Sequence, residues 1–291
     1  MTQGNIARLP DRGIVEVEGP DAASFLHNLV TNDIAGLGVK QAAYAGLLTP
    51  KGKIVFDFLV YRRGGESFLL DCAKSVAGDL AKRFALYKLR AKITVTDHGD
   101  ELTVGASWGE HADWPISESL ETYDDPRYSA LGKRFIASAA FWDQHPEAAD
   151  ASAAHAYHQH RIALGIPEGG RDFEFGEAFP HDACFEALNG VDYKKGCYIG
   201  QEVVSRMHHK GTAKTGVAIV EAETDLPEGS GAIYAGDSPA GQLGSVAGTR
   251  GIAIVRMDRI QQAQTAGQPI SVDDQEITVT TPAWLTGEDS A

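Results

Sequence analysis

The chain has 291 residues, of which 43% are hydrophobic and 23% charged, and its 26 lysines and arginines against 40 acids give a net charge of −14. This composition is typical of a globular protein, and the length predicts about two domains. A general binder of nucleic acid or of anionic membranes needs a cationic surface, so the charge argues against both classes.

The three cysteines, Cys72, Cys184 and Cys197, lie far apart and form no CxxC pair. This pattern argues against a disulfide framework and against a four-cysteine metal or iron-sulfur site held by this chain alone, and it fits a reducing compartment. The N-terminal residues show no apolar signal segment, and no run approaches the ~18 apolar residues of a membrane span. The sequence therefore predicts a cytoplasmic protein without a membrane partner.

The opening third of the chain predicts a mainly antiparallel sheet, because apolar and polar residues alternate between turn residues. Strands are predicted over 14–17, 44–48, 53–61, 67–71, 92–96 and 102–104. One predicted helix opens at Gly19-Pro20-Asp21 and ends at Thr31-Asn32-Asp33. A second helix, over 74–90, has an apolar stripe at helical spacing. Together these elements indicate an α+β unit.

The rest of the chain changes character twice. Residues 108–150 are predicted to be irregular, and a helix over 150–164 is predicted to end at Gly165 as its C-cap. The polar, glycine-rich stretch 168–189 is too long for an idle connection. After residue 211, short apolar runs separated by Gly, Pro and Asp predict a small β-barrel or sandwich. Its strands are expected over 217–220, 232–234, 245–247, 252–255 and 277–279.

The most unusual stretch is KGCYIGQE, residues 195–202, continued by VVSRMHHKG. Between Asp192 and Lys214 there are five lysines and arginines against two acids, a local excess of positive charge in an acidic chain. The neighbouring lysines, together with a helix predicted to begin near Ile199, would favour the thiolate of Cys197. The alternative is that Cys197 is a buried packing residue, as free cysteines most often are.

This octet resembles the signature of the YgfZ-type folate-binding proteins, which are similar to the aminomethyltransferase (T-protein) of the glycine cleavage system and to mitochondrial iron-sulfur assembly factors. Further segments resemble the family in the same order: GPDAASFLHNLVTNDI, YAGLLTPKGKIVFDFLVYRR, YKLRAKITVTD, RIALGIPEGGRDF, GQLGSVAG and IAIVRMDRI. The resemblance covers nearly the whole chain.

The resemblance implies an α+β, T-protein-like fold in which two α+β lobes and a C-terminal β-barrel surround a central channel for tetrahydrofolate. The expected division is 1–120 for the first lobe, 121–210 for the second lobe with the octet, and 211–291 for the barrel, with interleaving of the two lobes left open. The implied role is the assembly or repair of iron-sulfur enzymes, with Cys197 as the essential residue.

Candidate folate-binding residues follow from the chemistry of the ligand, which has a flat pterin, an aryl linker and an anionic tail. Tyr44, Phe56, Phe173 and Tyr198 are candidates for the aromatic slot, and Arg161, Lys195 and Arg206 for the tail. Asp57 is the candidate hydrogen-bond partner of the pterin, although strand alternation would equally allow it to face outward.

Two departures from the family weaken an enzymatic interpretation or a family contact. The aminomethyltransferase branch has two adjacent acids where this chain has Phe56-Asp57, and the missing carboxylate argues against full aminomethyl transfer. Where the family commonly has Pro-Gln-Glu, this chain has Pro180-His181-Asp182, and the shorter side chain loses reach. The histidines complete no recognisable zinc pattern, so no metal site is predicted; His208 or His209 could instead serve as a base for the thiol.

The leading hypothesis is a tetrahydrofolate-binding accessory protein for iron-sulfur cluster assembly or repair, which acts through Cys197 and with assembly proteins or client iron-sulfur enzymes as partners. The alternative is a folate-dependent aminomethyltransferase or demethylase, so the sequence leaves open whether the protein is an enzyme. A third possibility is a folate-binding module without cysteine chemistry.

Overall fold

The computed structural model describes residues 5–109, 120–211, 214–229 and 231–287. The strands there are β1 (Asn5–Leu9), β2 (Arg12–Glu18), β3 (Ala42–Leu48), β4 (Ile54–Arg62), β5 (Ser67–Ala73), β6 (Thr94–Asp97), β7 (Leu102–Trp108), β8 (Glu121–Asp124), β9 (Lys133–Ser138), β10 (Thr215–Glu221), β11 (Ala232–Ala235), β12 (Ser238–Ala247), β13 (Arg250–Arg256), β14 (Ile270–Val272), β15 (Gln275–Glu276) and β16 (Thr278–Thr280). The helices are α1 (Ala22–Leu29), α2 (Lys74–Tyr87), α3 (Ala139–Trp142), α4 (Pro146–Ala149), α5 (Ala151–Leu164), α6 (Gln201–Lys210), α7 (Met257–Ala266) and α8 (Ala283–Thr286).

The chain divides into two compact units, each built from separate stretches of sequence. The first unit comprises Met1–Pro50, Val55–Tyr157 and Leu188–Gln201. The second unit comprises Lys51–Ile54, His158–Ala187 and Glu202–Ala291. The three-part division at residues 120 and 210 stays a prediction.

A five-stranded sheet in the order β3-β4-β5-β2-β6 forms the main body of the first unit. Strand β2, the fourth in this order, pairs antiparallel with β5 and β6. Helices α1 and α2 contribute to the same apolar core, where Phe84 of α2 meets Phe25 and Phe58 with ring centroids 5.7 and 6.2 Å apart. The strands and both helices predicted for this region are confirmed, because their apolar periodicity matches the faces they bury.

A second sheet of the first unit has four strands in the order β1-β7-β9-β8. It contradicts the prediction that residues 108–150 are irregular, because β8, β9, α3 and α4 lie there. Strand β9 was missed because apolar and polar residues do not alternate along it. Four successive residues are buried there: Arg134, Phe135, Ile136 and Ala137. The arginine is buried because carboxylates and a phenol pair with it, which composition alone does not reveal. Residues 110–119 of the same prediction lie outside the described residues.

The second unit contains a seven-stranded sheet in the order β15-β14-β11-β12-β13-β10-β16. Its pairings are antiparallel, and register shifts occur in the β11–β12 and β12–β13 pairs. The predicted small all-β module is therefore confirmed. Helix α7 was not predicted, since its sequence is polar apart from a short stripe; it buries Ile260 and Ala263 and ends at Gly267, whose φ is 63°.

Helix α5 ends where the sequence predicted. Gly165 follows it with φ 70°, the left-handed conformation in which glycine has no Cβ penalty. Within the described ranges, none of the helices combines the length and apolar character that crossing a bilayer requires.

Candidate functional site

The residues before α6 form a tight loop that presents the octet KGCYIGQE. The carboxylate of Asp192 accepts hydrogen bonds from the backbone N–H groups of Lys194 (2.7 Å) and Lys195 (3.3 Å), which closes an Asx turn. Gly200, with φ 82°, supplies the left-handed residue from which the chain enters the helix. The helix begins at Gln201, two residues later than predicted, because this glycine interrupts the helical backbone.

Lys195 fastens this loop to the end of α1. Its ammonium donates hydrogen bonds to the backbone carbonyls of His27, Val30 (2.6 Å) and Asn32 (3.0 Å). These carbonyls lie in and just beyond the last turn of α1, where helical partners are missing and positive charge is favourable. The side chain thereby uses its three N–H groups within the first unit. The structure gives Lys195 an anchoring role, which differs from the predicted contact with a folate tail.

The electrostatics of Lys195 reflect its burial, since only 9% of the residue is exposed. Burial lowers the pKa of Lys195 to about 8, while Asp33 and Asp192 oppose the change. The three carbonyl oxygens also favour the charged form. At neutral pH Lys195 is therefore protonated, and its charge caps the C-terminal end of α1.

Tyr198 and Ile199 hold the other side of the loop. The Tyr198 ring lies beneath the Lys195 ammonium, with 5.2 Å between nitrogen and ring centroid, and Ile199 packs against the core of the first unit. The Tyr198 hydroxyl is buried and finds no hydrogen-bond partner among the described residues. Burial, reinforced by Asp192, raises the pKa of Tyr198 to about 12, so the phenol stays neutral.

Cys197 lies between these anchors and is exposed to solvent. A Cβ added at the preceding Gly196 would meet none of the described atoms within 4 Å, so the approach on that side is open. Cys72 is buried and Cys184 is partly buried, and burial raises the pKa of Cys72 to about 12. The alternative that Cys197 is a packing residue is therefore wrong. It is the accessible thiol of the three, all of which lie in the described ranges.

Two polar residues after α1 add further ties, which the sequence analysis recognised only as a helix stop. The Thr31 hydroxyl donates to the Gly190 carbonyl at 2.6 Å and accepts from the Gly46 N–H at 2.8 Å. The Asn32 amide donates to the carbonyls of Tyr44 (2.7 Å) and Asn189 (2.6 Å). A threonine and an asparagine directly after an apolar helix were the available signal, but two of their four partners, Gly190 and Asn189, lie about 160 residues away in sequence.

Tyr44 and Asp57 are brought together on the neighbouring strands β3 and β4. The Tyr44 hydroxyl donates to Asp57 at 2.9 Å, and both residues are buried. Burial, followed by the Asp57 charge, raises the pKa of Tyr44. The alternative that Asp57 faces outward is therefore wrong.

A buried network of charges adjoins this pair and was not predicted. The Arg127 guanidinium lies 5.9 Å from the Tyr44 ring and donates to the Asp125 carboxylate at 2.7 and 3.0 Å. The network continues through Arg134, Asp71 and Arg12, with nitrogen to oxygen distances of 2.6 to 3.2 Å. Each charge in this network has an oppositely charged neighbour, as buried ions require.

The two remaining tail candidates lie in the second unit, where both have carboxylate partners. Arg161 is fully buried and donates to Asp172 (2.6 Å), the Ile166 carbonyl (2.6 Å) and the Ser245 hydroxyl (2.8 Å). It therefore braces the second unit, contrary to the expectation of a ligand-facing cation. Arg206 is exposed on α6 and pairs with Glu202 one helical turn earlier.

A cavity of about 460 Å³ lies within the second unit. Phe173, Leu243 and Ile254 form its apolar lining. Its charged lining consists of Arg171 and four acids, Asp172, Glu174, Glu177 and Asp182. Burial raises the pKa of Asp182, although the Phe179 N–H, 2.9 Å from its carboxylate, and the charge of Lys53 oppose the rise. The volume of the cavity lies in the range of small-molecule sites, ~300–1,000 Å³.

Comparisons with known proteins first define the class. The family model of the GCVT N-terminal domain matches residues 11–124, and that of the CAF17 C-terminal β-barrel domain matches residues 214–287. The crystal structure of the glycine cleavage system aminomethyltransferase T from Bartonella henselae superposes with a TM-score of 0.75 at 15% identity, covering 96% of this chain and 85% of that chain. The chain therefore has the aminomethyltransferase-like fold with a C-terminal β-barrel, and the predicted fold class is confirmed.

The relatives then define the family. The mitochondrial iron-sulfur cluster assembly factor IBA57 of Mus musculus is 35% identical over 286 residues, which cover 87% of this chain and 78% of the relative. The Homo sapiens protein of the same name is 33% identical over 282 residues, with the same coverage. This chain belongs to the IBA57 family of iron-sulfur cluster assembly factors, which confirms the resemblance. The predicted cytoplasmic location is wrong by this comparison, because these relatives are mitochondrial proteins.

Proposed function

We propose that this protein promotes the assembly or repair of iron-sulfur clusters through the thiol of Cys197, and that it binds tetrahydrofolate. The observation that carries the first part is the exposure of Cys197 on a loop whose flanking residues, Lys195 and Tyr198, are both buried. A reactive group held this way is accessible and also restrained, as a site for repeated transfer requires.

The number of thiols limits what the chain does with a cluster. Iron-sulfur clusters are held by about four thiolates, and this chain presents one exposed cysteine. Cys197 therefore supplies a single ligand, after loss of its proton, and a partner protein supplies the others. The open space beside Gly196 supports this arrangement, because a partner's backbone can approach the thiol closely there. The cluster is the cargo of such a complex.

The proposed tetrahydrofolate site is the cavity of the second unit, whose charged lining consists of Arg171 and four acids. Phe173, Leu243 and Ile254 offer apolar contact to the pterin and aryl rings, Asp182 offers a carboxyl group to the pterin nitrogens, and Arg171 offers a cation to the glutamate tail. When bound, the folate supplies a carrier for one-carbon units. Asp182 is one of the two residues, with His181, at which this chain departs from the family's Pro-Gln-Glu.

The aminomethyltransferase alternative receives no comparable support. A shared fold does not carry the reaction with it. Phe56, which stands where that branch has an acid, is buried, and the neighbouring Asp57 carboxylate is engaged by Tyr44. We expect no methylene-tetrahydrofolate from an aminomethylated lipoyl carrier protein.

The thiol is tested by replacing the gene with Cys197→Ala and measuring the activity of cluster-dependent enzymes in cells. We expect that activity to fall to the level of a deletion strain, with equal amounts of the variant protein. Cys184→Ala is the matched control, because it removes a partly buried thiol and should leave the activity unchanged. Normal activity in the Cys197→Ala strain would refute the role of the thiol.

The folate part is tested separately by calorimetric titration with tetrahydrofolate. The wild type and Cys197→Ala are expected to bind equally, and Asp182→Asn about tenfold more weakly, through the loss of one charged hydrogen bond. A wild-type titration without heat or saturation would end the folate proposal and leave the thiol proposal standing.

A further inference from the structure

A basic surface of the first unit, where α2 ends, takes no part in the proposed site. Residues 80–96 carry five lysines and arginines and no acid, although the whole chain has a net charge of −14. Lys82 pairs with Asp79 at 3.1 Å. The other cations, which form no ion pair with any residue in the described part of the chain, are Arg83, Lys88, Arg90 and Lys92.

Two leucines are exposed within this basic surface. Leu86, in the last turn of α2, is 71% exposed, and Leu89, just after the helix, is 89% exposed. Leu86 follows Lys82 and Arg83 at helical spacing, so these three side chains share one face. Because both side chains are largely in solvent, Leu86 and Leu89 bury little apolar surface and add little to the stability of the fold.

The backbone at Leu89 strengthens this argument. Its φ is 46°, in the left-handed region that is normally reserved for glycine after a helix. A leucine here is strained, and its side chain does not compensate by packing, because it is almost fully in solvent. Strain retained without a structural gain indicates a function of the residue.

A groove lies beside Leu89, between this turn and α1. Its volume is about 400 Å³, and its lining includes Phe25 and Leu29 of α1 and Tyr87, Lys88 and Arg90 of the turn. On the α1 side the groove combines the apolar Phe25 and Leu29 with the polar Asp21, Ser24 and Asn28, and the end of α2 contributes the cations Lys88 and Arg90. Such a shape accepts an apolar side chain while the cations pair with acids on either side of it.

We propose that this groove, together with Leu86 and Leu89, is a docking site for an acidic segment of a partner protein that carries a leucine or phenylalanine anchor. The charge of the surface selects the acidic partner. The groove favours a peptide segment, whose anchor enters it while Leu86 and Leu89 contact the flanking residues, and the net charge of −14 opposes approach to an anionic membrane. None of the octet residues lines the groove, so a partner can dock there without using the thiol.

Binding is tested with the full chain and a fluorescein-labelled peptide made of Asp-Glu-Leu-Phe repeats. We expect saturable binding that weakens at least about tenfold on charge reversal in Lys88→Glu/Arg90→Glu and in Leu86→Ser, and that weakens as salt is raised. Lys51→Glu is the control, since it reverses an exposed charge elsewhere. A peptide with serine in place of leucine and phenylalanine should bind poorly.

Leu89→Gly gives the sharpest result, because it should raise the melting temperature by relieving the strained backbone and at the same time weaken peptide binding. Equal binding by the wild type and the groove variants, or no binding by any of them, would overturn the proposal. It would also fail if these variants lost only binding to phosphatidylserine vesicles, or only self-association in sedimentation. Cys197→Ala should bind the peptide normally, so the thiol proposal and this one fail independently.

Discussion

Replacing Lys195 by methionine tests whether this lysine holds the octet loop. The change keeps most of the aliphatic stem and removes three hydrogen bonds to the carbonyls of His27, Val30 and Asn32. Each buried hydrogen bond to a charged group contributes about 1.5–3 kcal/mol. The desolvation that lowers the pKa of Lys195 from 10.5 to about 8 offsets roughly 3 kcal/mol of that gain. We therefore expect Lys195→Met to lower the free energy of unfolding by about 1.5–6 kcal/mol.

Urea unfolding at neutral pH measures this loss, and hydrogen exchange locates it. The midpoint should fall without a change in slope, and the amides of residues 190–200 and of the end of α1 should exchange faster. Lys194→Met is the matched control, because Lys194 is exposed and its hydrogen bond to Asp192 is made by the backbone N–H, which the substitution keeps. Unfolding energies of Lys195→Met and Lys194→Met that agree within about 0.5 kcal/mol would refute the anchoring role.

The remaining predictions concern the thiols, a buried carboxylate and a phenol. A thiol reagent applied to the native protein should modify one cysteine rapidly, and Cys197→Ser should abolish that phase; rapid labelling of Cys72 would contradict its burial. Burial opposes ionisation of Asp125, but Arg127 and Arg134 outweigh it and lower the pKa of Asp125. The ionised carboxylate therefore contributes fully to the free energy of unfolding above pH 3.8, and this contribution is lost as the pH falls through the lowered pKa. Asp125→Asn should therefore cost about 3–5 kcal/mol at neutral pH and progressively less in acid, and a constant difference across pH would contradict this. Tyr198→Phe should change the unfolding energy by less than about 0.5 kcal/mol, because the hydroxyl finds no partner among the described residues; a loss above about 1 kcal/mol would reveal one.

Much of the fold was predictable because local patterns agree with the faces that are buried. The strand over 14–17, the helices α1, α2 and α5 and the short C-terminal strands all follow from periodicity and turn residues. The four-stranded sheet was missed where a buried arginine interrupts the apolar run. Helix α7 was missed because a polar helix with two buried side chains leaves little signal.

The site was predictable in its residues but less so in their roles. Cys197 was identified from the octet, and its exposure agrees with a functional thiol. Lys195 was expected to face an anion and instead caps α1, because its partners are backbone carbonyls about 165 residues earlier. Arg161 was expected to face the ligand and is enclosed by Asp172. Sequence spacing shows that a charge is present, whereas the identity of its partner depends on tertiary contacts.

The most direct test of the thiol proposal is cluster transfer to an iron-sulfur enzyme prepared without its cluster, supplied by a cluster-loaded assembly partner in the presence of this protein. We predict that the wild type restores the activity of the enzyme and that Cys197→Ser, with the same fold by circular dichroism, does not. Equal restoration by both proteins would contradict the account.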